Sequence, residues 1–227
     1  GGVREAHLAA RNLVGFDGPH GYAFSAVSLG RTRVVSVAPN VEGRLRLLQP
    51  LLELRVPFEL SLEELDDVDR GADDLELDTV AAAASQLAML EDRAVFYGVE
   101  SAGITGLVPG STQKPVPLTP DFREFPDLVS GAIAQLHAQG VAGPYAIALD
   151  SQSYTALLRS TGPGGYPTLQ HIRKLVDGPT VFAPALSGAF VISLRGGDFT
   201  LTVGEDVSIG YLSHDQKTVR LYLEETL

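Results

Sequence analysis

The chain has 227 residues, 44% of them hydrophobic, with 28 acidic against 17 basic side chains, a net charge of −11 and no cysteine. That much apolar content buries a core and excludes a disordered tail, while the acidic balance argues against wrapping nucleic acid or docking on an anionic membrane. The missing cysteines exclude disulfides, zinc–thiolate and iron–sulfur centres and a cysteine nucleophile.

Residues 3–13 have helical composition and stop before Gly15 and the turn Asp17-Gly18-Pro19. Residues 31–37 alternate as a strand, which Ala38-Pro39-Asn40 breaks. Between 51 and 60 the alternation is clean, with Leu52, Leu54, Val56, Phe58 and Leu60 on one side and Glu53, Arg55 and Glu59 on the other. At about 3.3 Å per residue this predicts a strand of roughly 33 Å. Pro57 removes a ladder donor, so the strand is expected at an edge or on a protruding hairpin arm that something else must cover.

Ser61 and Glu64 form a capping-box signature for a short helix ending near Gly71. A second helix, capped by Asp78, is predicted over 79–97, with Val80, Ala83, Leu87, Leu90, Ala94 and Tyr97 as its apolar stripe and Gly98 after its end. It should span about 28 Å. Residues 109–126 hold five prolines and read as a connection. A helix over 126–139, a strand over 145–149 and helices over 152–159 and 169–176 follow, the last two separated by the Gly/Pro loop 162–167. The remaining residues read as strands broken at Ser187-Gly188, Gly196-Gly197, Gly204 and 213–216. Helices and strands are partly segregated, which predicts an α+β fold. The longest uncharged stretch, 128–149, is interrupted by Gly131, Gly140, Gly143 and Pro144 and does not form a membrane-spanning helix.

Charge is concentrated. Residues 61–78 carry nine acids and one base, a net −8, whereas Arg31, Arg33, Arg44, Arg46 and Arg55 outnumber Glu42 and Glu53 just upstream. An acidic run is ordinarily a solvated face, yet a basic segment beside an acidic one also suits pairing within or between copies.

Catalytic motifs fail on context. Ser111-Thr112-Gln113-Lys114 has the Ser-x-x-Lys pattern but lies in the proline-rich connection and no Lys-Thr-Gly follows. Ser101, within Gly98-Val99-Glu100-Ser101-Ala102-Gly103, has one residue too many for a nucleophile elbow and follows a helix. Gly196-Gly197-Asp198-Phe199 reads as a hairpin turn. The histidines at 7, 20, 137, 171 and 214 show no metal-ligand spacing, and the glycine loop lacks the strand–helix frame that binds phosphate. Neither catalytic residue, metal nor cofactor is expected, and a chain of this kind acts by assembling or binding.

Several stretches, in order along nearly the whole chain, resemble the encapsulins, shell proteins sharing the fold of phage major capsid proteins. They are 17–21 (DGPHG), 64–71 (ELDDVDRG), 90–98 (LEDRAVFYG), 143–145 (GPY), 165–167 (GYP), 195–199 (RGGDF), 204–211 (GEDVSIGY) and 219–227 (VRLYLEETL). The resemblance implies a phage major-capsid-like fold. Residues 1–28 would hold the N-terminal helix end and the start of a peripheral domain, 29–60 an extended loop arm and 61–121 the peripheral domain with its spine helix. Residues 122–194 would form an axial domain and 195–227 a return to the peripheral one. It places the start of this sequence inside the family's first helix and its end before the family's final strand.

The implied function is a non-enzymatic shell subunit that closes into an icosahedral nanocompartment in the cytoplasm. Its partners would be copies of itself and a cargo enzyme, of peroxidase or ferritin-like type, held by a short C-terminal targeting peptide. By resemblance, Arg11, Leu13, Ile209 and Tyr211 would line the cargo groove. Thr161, Gly162, Pro163, Gly164, Gly165 and Tyr166 would form the five-fold pore loop, and Leu52, Leu54, Val56 and Phe58 the inter-subunit arm. Gly15 stands where the family commonly has Asp, which removes a polar part of that groove. A phage or prophage capsid protein is the alternative, and a serine peptidase using Ser101 or Ser111 a weaker one.

Overall fold

The computed structural model describes residues 8–74 and 76–227. The expected helix over 3–13 falls mostly outside them; residues Ala10–Asn12 form a single 3-10 turn. In chain order come β1 (Gly15–Asp17), β2 (Ala26–Ala38), β3 (Val41–Pro50), β4 (Glu53–Ser61), α1 (Leu62–Asp69) and α2 (Asp78–Tyr97). Two short strands, β5 (Gly98–Val99) and β6 (Ile104–Thr105), precede α3 (Leu107–Gly110) and α4 (Phe125–Ala138). Then follow β7 (Tyr145–Leu149), α5 (Ser151–Arg159), α6 (Thr168–Val176), β8 (Asp177–Phe182), β9 (Ala189–Ser193), β10 (Thr200–Thr202), β11 (Ser208–His214) and β12 (Thr218–Thr226). The fold is α+β.

The chain divides into two compact units, one of residues 1–16, 84–98 and 105–201, the other of 17–83, 99–104 and 202–227. The expected 122–194 segment lies wholly within the first. That unit is organised by β7, whose five residues are all buried. It runs parallel to β8 on one side and antiparallel to β9 on the other. Alternation along β7 then divides two cores. Tyr145, Ile147 and Leu149 pack with Phe125, Val129, Leu157, Leu169, Ile172 and Val176 from α4, α5 and α6. Ala146 and Ala148 face the opposite way, onto Ala10, Leu13, Phe96, Leu107 and Leu186. A strand covered on both faces needs no polar residue, and Tyr145–Leu149 has none but a tyrosine hydroxyl, which donates to the Val141 carbonyl at 2.6 Å.

Two helix starts carry side-chain caps, while Asp78, expected as the cap of α2, is its first helical residue. Asp150 caps α5 by accepting the Ser153 N–H at 2.7 Å and also accepts the Gly188 N–H at 2.7 Å. Burial raises its pKa, but those two N–H donors outweigh it and hold the carboxyl below its usual range. Ser61 caps α1 by accepting the Glu64 N–H at 3.5 Å.

In the second unit β4 is the edge of a three-stranded antiparallel sheet ordered β11-β12-β4. Pro57 thus sits on an edge strand, where its missing N–H leaves no ladder bond unmade inside the sheet. Val56 and Phe58, expected on the inter-subunit arm, are buried within the chain, beside Leu223 and Leu221 of β12. Leu52 and Leu54 are half-buried at the same strand's start. The projecting element is the preceding hairpin, β2 with β3, turning at Pro39 and Asn40, where Asn40 adopts φ 60°.

Candidate assembly and binding surfaces

The hairpin 26–50 is a two-stranded ribbon, with no third strand among the described residues. At about 3.3 Å per residue, β2 alone extends roughly 43 Å. Register sorts its side chains. Val34 lies opposite Arg44, Thr32 opposite Arg46 and Ser36 opposite Glu42, a polar face with a salt bridge from Arg44 to Glu42 at 2.6 Å. Val35 lies opposite Gly43 and Arg33 opposite Leu45, so Val35, Val37, Val41 and Leu45 share the other face, with Arg33 at its inner end. Gly43 is the floor of this face. A Cβ there would stand 2.4 Å from a Val37 methyl and 2.9 Å from a Val35 methyl, so both valines lean over it. Val37, Val41 and Leu45 remain 65%, 53% and 48% exposed. An isolated ribbon is marginal in water, and this one leaves its apolar face open.

The acidic run lies on α1 and after it, in the same unit; α1 has no buried residue. Arg70 pairs with Asp67 there, and among the described residues most of the other carboxylates have no cation beside them.

Two rows of side chains cross the sheet of the second unit. Ile209, Leu223 and Val56 form one, Tyr211, Leu221 and Phe58 the other. Each row is buried at β4, with Val56 3% and Phe58 6% exposed, and open at β11, with Ile209 64% and Tyr211 58% exposed. An apolar face thus emerges from cover at the two positions expected in a groove. The other two expected groove residues sit in the first unit and are engaged there. Leu13 is buried in the core. Arg11 forms a bidentate pair with the fully buried Glu91, Nε to Oε1 at 2.8 Å and Nη2 to Oε2 at 2.5 Å, and stacks over Phe16 at 5.0 Å.

Glu91 and Asp92 were missed by the sequence reading, which places α2's buried stripe on apolar residues. Asp92 accepts the Ala9 and Ala10 N–H groups at 3.2 and 2.8 Å and so stitches the N-terminal turn to the helix. Burial pushes its pKa up to about 7, against the pull of those amides. Tyr97, expected in the stripe, is 36% exposed, and its hydroxyl accepts the Ser187 N–H at 2.8 Å.

The loop 161–167 is pinched shut by a bridge between Thr161 and Pro167 and by the Gly162 N–H on the Tyr166 carbonyl at 2.8 Å. Its tip, Gly164 and Gly165, has φ 74° and 79°, backbone that favours glycine. The Lys174 ammonium lies 5.0 Å over the Tyr166 ring and steadies its base.

The catalytic motifs have no supporting geometry. Ser111 follows α3 and its hydroxyl accepts the Gln113 N–H at 3.2 Å, while Ser101 is exposed on a 3-10 turn. Asp198 is held by Arg195 at 2.7 and 2.8 Å within its turn. Among the described residues no group of three or more His, Asp or Glu is placed to hold a metal, and no helix is long and apolar enough to cross a membrane.

Comparison with known proteins adds the family. The Linocin_M18 family, described as an encapsulating protein for peroxidase, matches residues 2–227. The type 1 encapsulin shell protein of Rhodospirillum rubrum is 47% identical over 233 residues, spanning 100% of this chain and 83% of the relative. That of Mycobacterium tuberculosis is 46% identical over 97% of this chain and 83% of its own. Among solved structures, a virus-like particle protein from Pyrococcus furiosus has a TM-score of 0.68 at 15% identity, covering 99% of this chain and 88% of that one. The capsid protein of an empty GTA particle has a TM-score of 0.56 at 17% identity, covering 97% and 84%. Those two likenesses establish the phage-capsid-like fold; the near-half identity across almost the full chain establishes that it belongs to the encapsulating Linocin_M18 family, with the type 1 encapsulin shell proteins.

Proposed function

We propose that this chain is the subunit of a closed icosahedral protein shell that encloses a cargo enzyme, of peroxidase or ferritin-like type, in the cytoplasm. The observation that carries the reading is the ribbon 26–50, which presents one largely apolar face, one polar face with Arg44 and Arg46 and, among the described residues, no third strand. Such an element is stabilised by lying on a neighbouring subunit, and several interfaces per subunit favour a closed assembly even when each is weak. The net −8 of residues 61–78 offers the ribbon's arginines a complementary surface on another copy.

The open ends of the two apolar rows, Ile209 and Tyr211, supply a surface for a short C-terminal cargo peptide. Arg11 and Leu13 support it as packed walls, not as free contacts. The pinched loop 161–167 is compact enough to meet its copies around a five-fold pore. The chain itself carries no catalytic step. Identity near 47% to shell proteins, against 17% to a capsid protein, favours an enzyme-enclosing shell over a DNA-packaging one.

Mass photometry and negative-stain microscopy of the purified full-length protein test this. Hollow particles of megadalton mass, carrying protein and no nucleic acid, are expected. A stable monomer would overturn the shell reading, and particles filled with DNA would favour the capsid one.

A further inference from the structure

Inside the first unit, beneath the proline-rich segment, lies a cavity of about 360 Å³ that the shell function does not use. Its floor is core: Phe125, Val129 and Ile147, which are 1%, 3% and 0% exposed, reach it. Its walls come from α4 and β9. Its roof is the extended segment 113–118, pinned at one end by reciprocal amide bonds between Gln113 and Gln139 at 2.5 and 3.0 Å. At the other end Thr119 donates to Glu124 at 3.0 Å and accepts the Asp121 N–H at 3.2 Å. Between the pins run Lys114, Pro115, Val116, Pro117 and Leu118. Prolines fix φ near −65° and have no N–H to bond, so this roof stays extended instead of folding down into the space. Val116 and Leu118 remain 53% and 42% exposed along it.

The lining is predominantly apolar, with a few hydroxyls and amides, and its one ionisable group is Lys114. Among the described residues Lys114 has no ion-pair partner. A pocket within the usual range of about 300–1,000 Å³, apolar in its depth and with a single convergent charge, has the make-up of a small-molecule site. We propose that this cavity binds an anionic amphiphile, a monocarboxylate with a medium-length alkyl or aryl body. The body lies against Phe125, Val129 and Ile147, and the carboxylate meets the Lys114 ammonium at the rim. A second copy of the chain suits the space less well. Its floor is formed by side chains already buried in the core, below a roof tied down at both ends.

The test uses intact assembled particles and 11-(dansylamino)undecanoic acid as fluorescent probe, with decanoate and decanol as competitors. Saturable, blue-shifted emission at one probe per subunit is expected, displaced by decanoate. Lys114→Met should weaken decanoate by about tenfold or more, the loss of one charge-assisted contact, while leaving decanol unchanged. Ala132→Phe, which fills the cavity from α4, should abolish binding with particle diameter retained. Absence of saturable binding, or binding indifferent to both substitutions, would overturn the proposal. So would binding confined to dissociated subunits, which would show that a neighbouring copy occupies the space in the particle. Failure to form particles at all would be a separate result, bearing on the shell reading alone.

Discussion

Leu45→Asp tests the ribbon most directly. Val37, Val41 and Leu45 are 65%, 53% and 48% exposed, so about half of each side chain remains to be covered. Full burial of such a side chain contributes about 1.5–3 kcal/mol, and covering the open halves about 1 kcal/mol each, or about 3 kcal/mol per ribbon. Aspartate at 45 removes the leucine share and adds the desolvation of a carboxylate; Arg33 directly opposite offsets only part of that, because the pair itself must leave water when the face is covered. The penalty exceeds the gain and recurs in every copy. Because Leu45 lies half-exposed on the projecting ribbon, circular dichroism should report a folded chain, while mass photometry should find no large particles. Val34→Asp, opposite Arg44 on the polar face, should retain them. Particles of undiminished yield from Leu45→Asp would refute the argument that the apolar face is covered by another subunit.

Four further outcomes follow from particular contacts. Arg11→Met strands the buried Glu91 carboxylate, a loss of about 3–5 kcal/mol that should lower the Tm by roughly 10 °C, and adding Glu91→Gln should recover most of it. Asp92 titrates near 7 when folded and near its ordinary value of about 3.9 when exposed. The folded segment therefore keeps a proton that the opened one releases, and closure is favoured at low pH and weakens as pH rises from about 4 to 7. Amide exchange at Ala9 and Ala10, corrected for intrinsic rate, should lose up to about a thousandfold of protection across that window in the wild type and little in Asp92→Asn; flat protection in the wild type would contradict this. At Gly106 a Cβ would lie 2.2 Å from the Gly98 nitrogen and 2.5 Å from the Tyr97 carbonyl carbon, so Gly106→Ala forces backbone apart and should cost about 1–3 kcal/mol or more by thermal unfolding. Ile209→Asp should leave particle size unchanged and reduce co-purified cargo; undiminished cargo would remove β11 from the groove.

Helix caps and the buried central strand were readable locally, whereas β3 (Val41–Pro50) and the first five residues of β2 gave no clear alternation. The helix starts at Ser61 and Asp150 rest on a side-chain oxygen accepting an N–H three residues on, and β7 shows itself as five residues without a charge. Pairing was not readable. The alternation of 51–60 states that one face is apolar but not which strand lies beside it, and that strand is β12, where Glu53 pairs with Thr226 and Val56 with Leu223. The span 29–60 holds both the projecting ribbon and β4, and the arginine-rich ribbon alternates less clearly than the strand that packs into the sheet. Glu91 and Asp92 fail for a related reason. Acids on a helix read as solvent-facing unless a distant cation and orphan amides are known to arrive, and Arg11, Ala9 and Ala10 come from some 80 positions away.

The unaccompanied ribbon has a kinetic consequence. An element that becomes firmly ordered only against a neighbour loses conformational entropy at each early encounter, before enough contacts accumulate to offset it. Small oligomers are then the least favourable species on the path, and intermediates stay scarce. Growth should therefore begin only above a threshold concentration, after a lag, and run quickly to closure once begun. Half-built shells, which would leak whatever they hold, are suppressed by the very weakness of the strand pair that builds them.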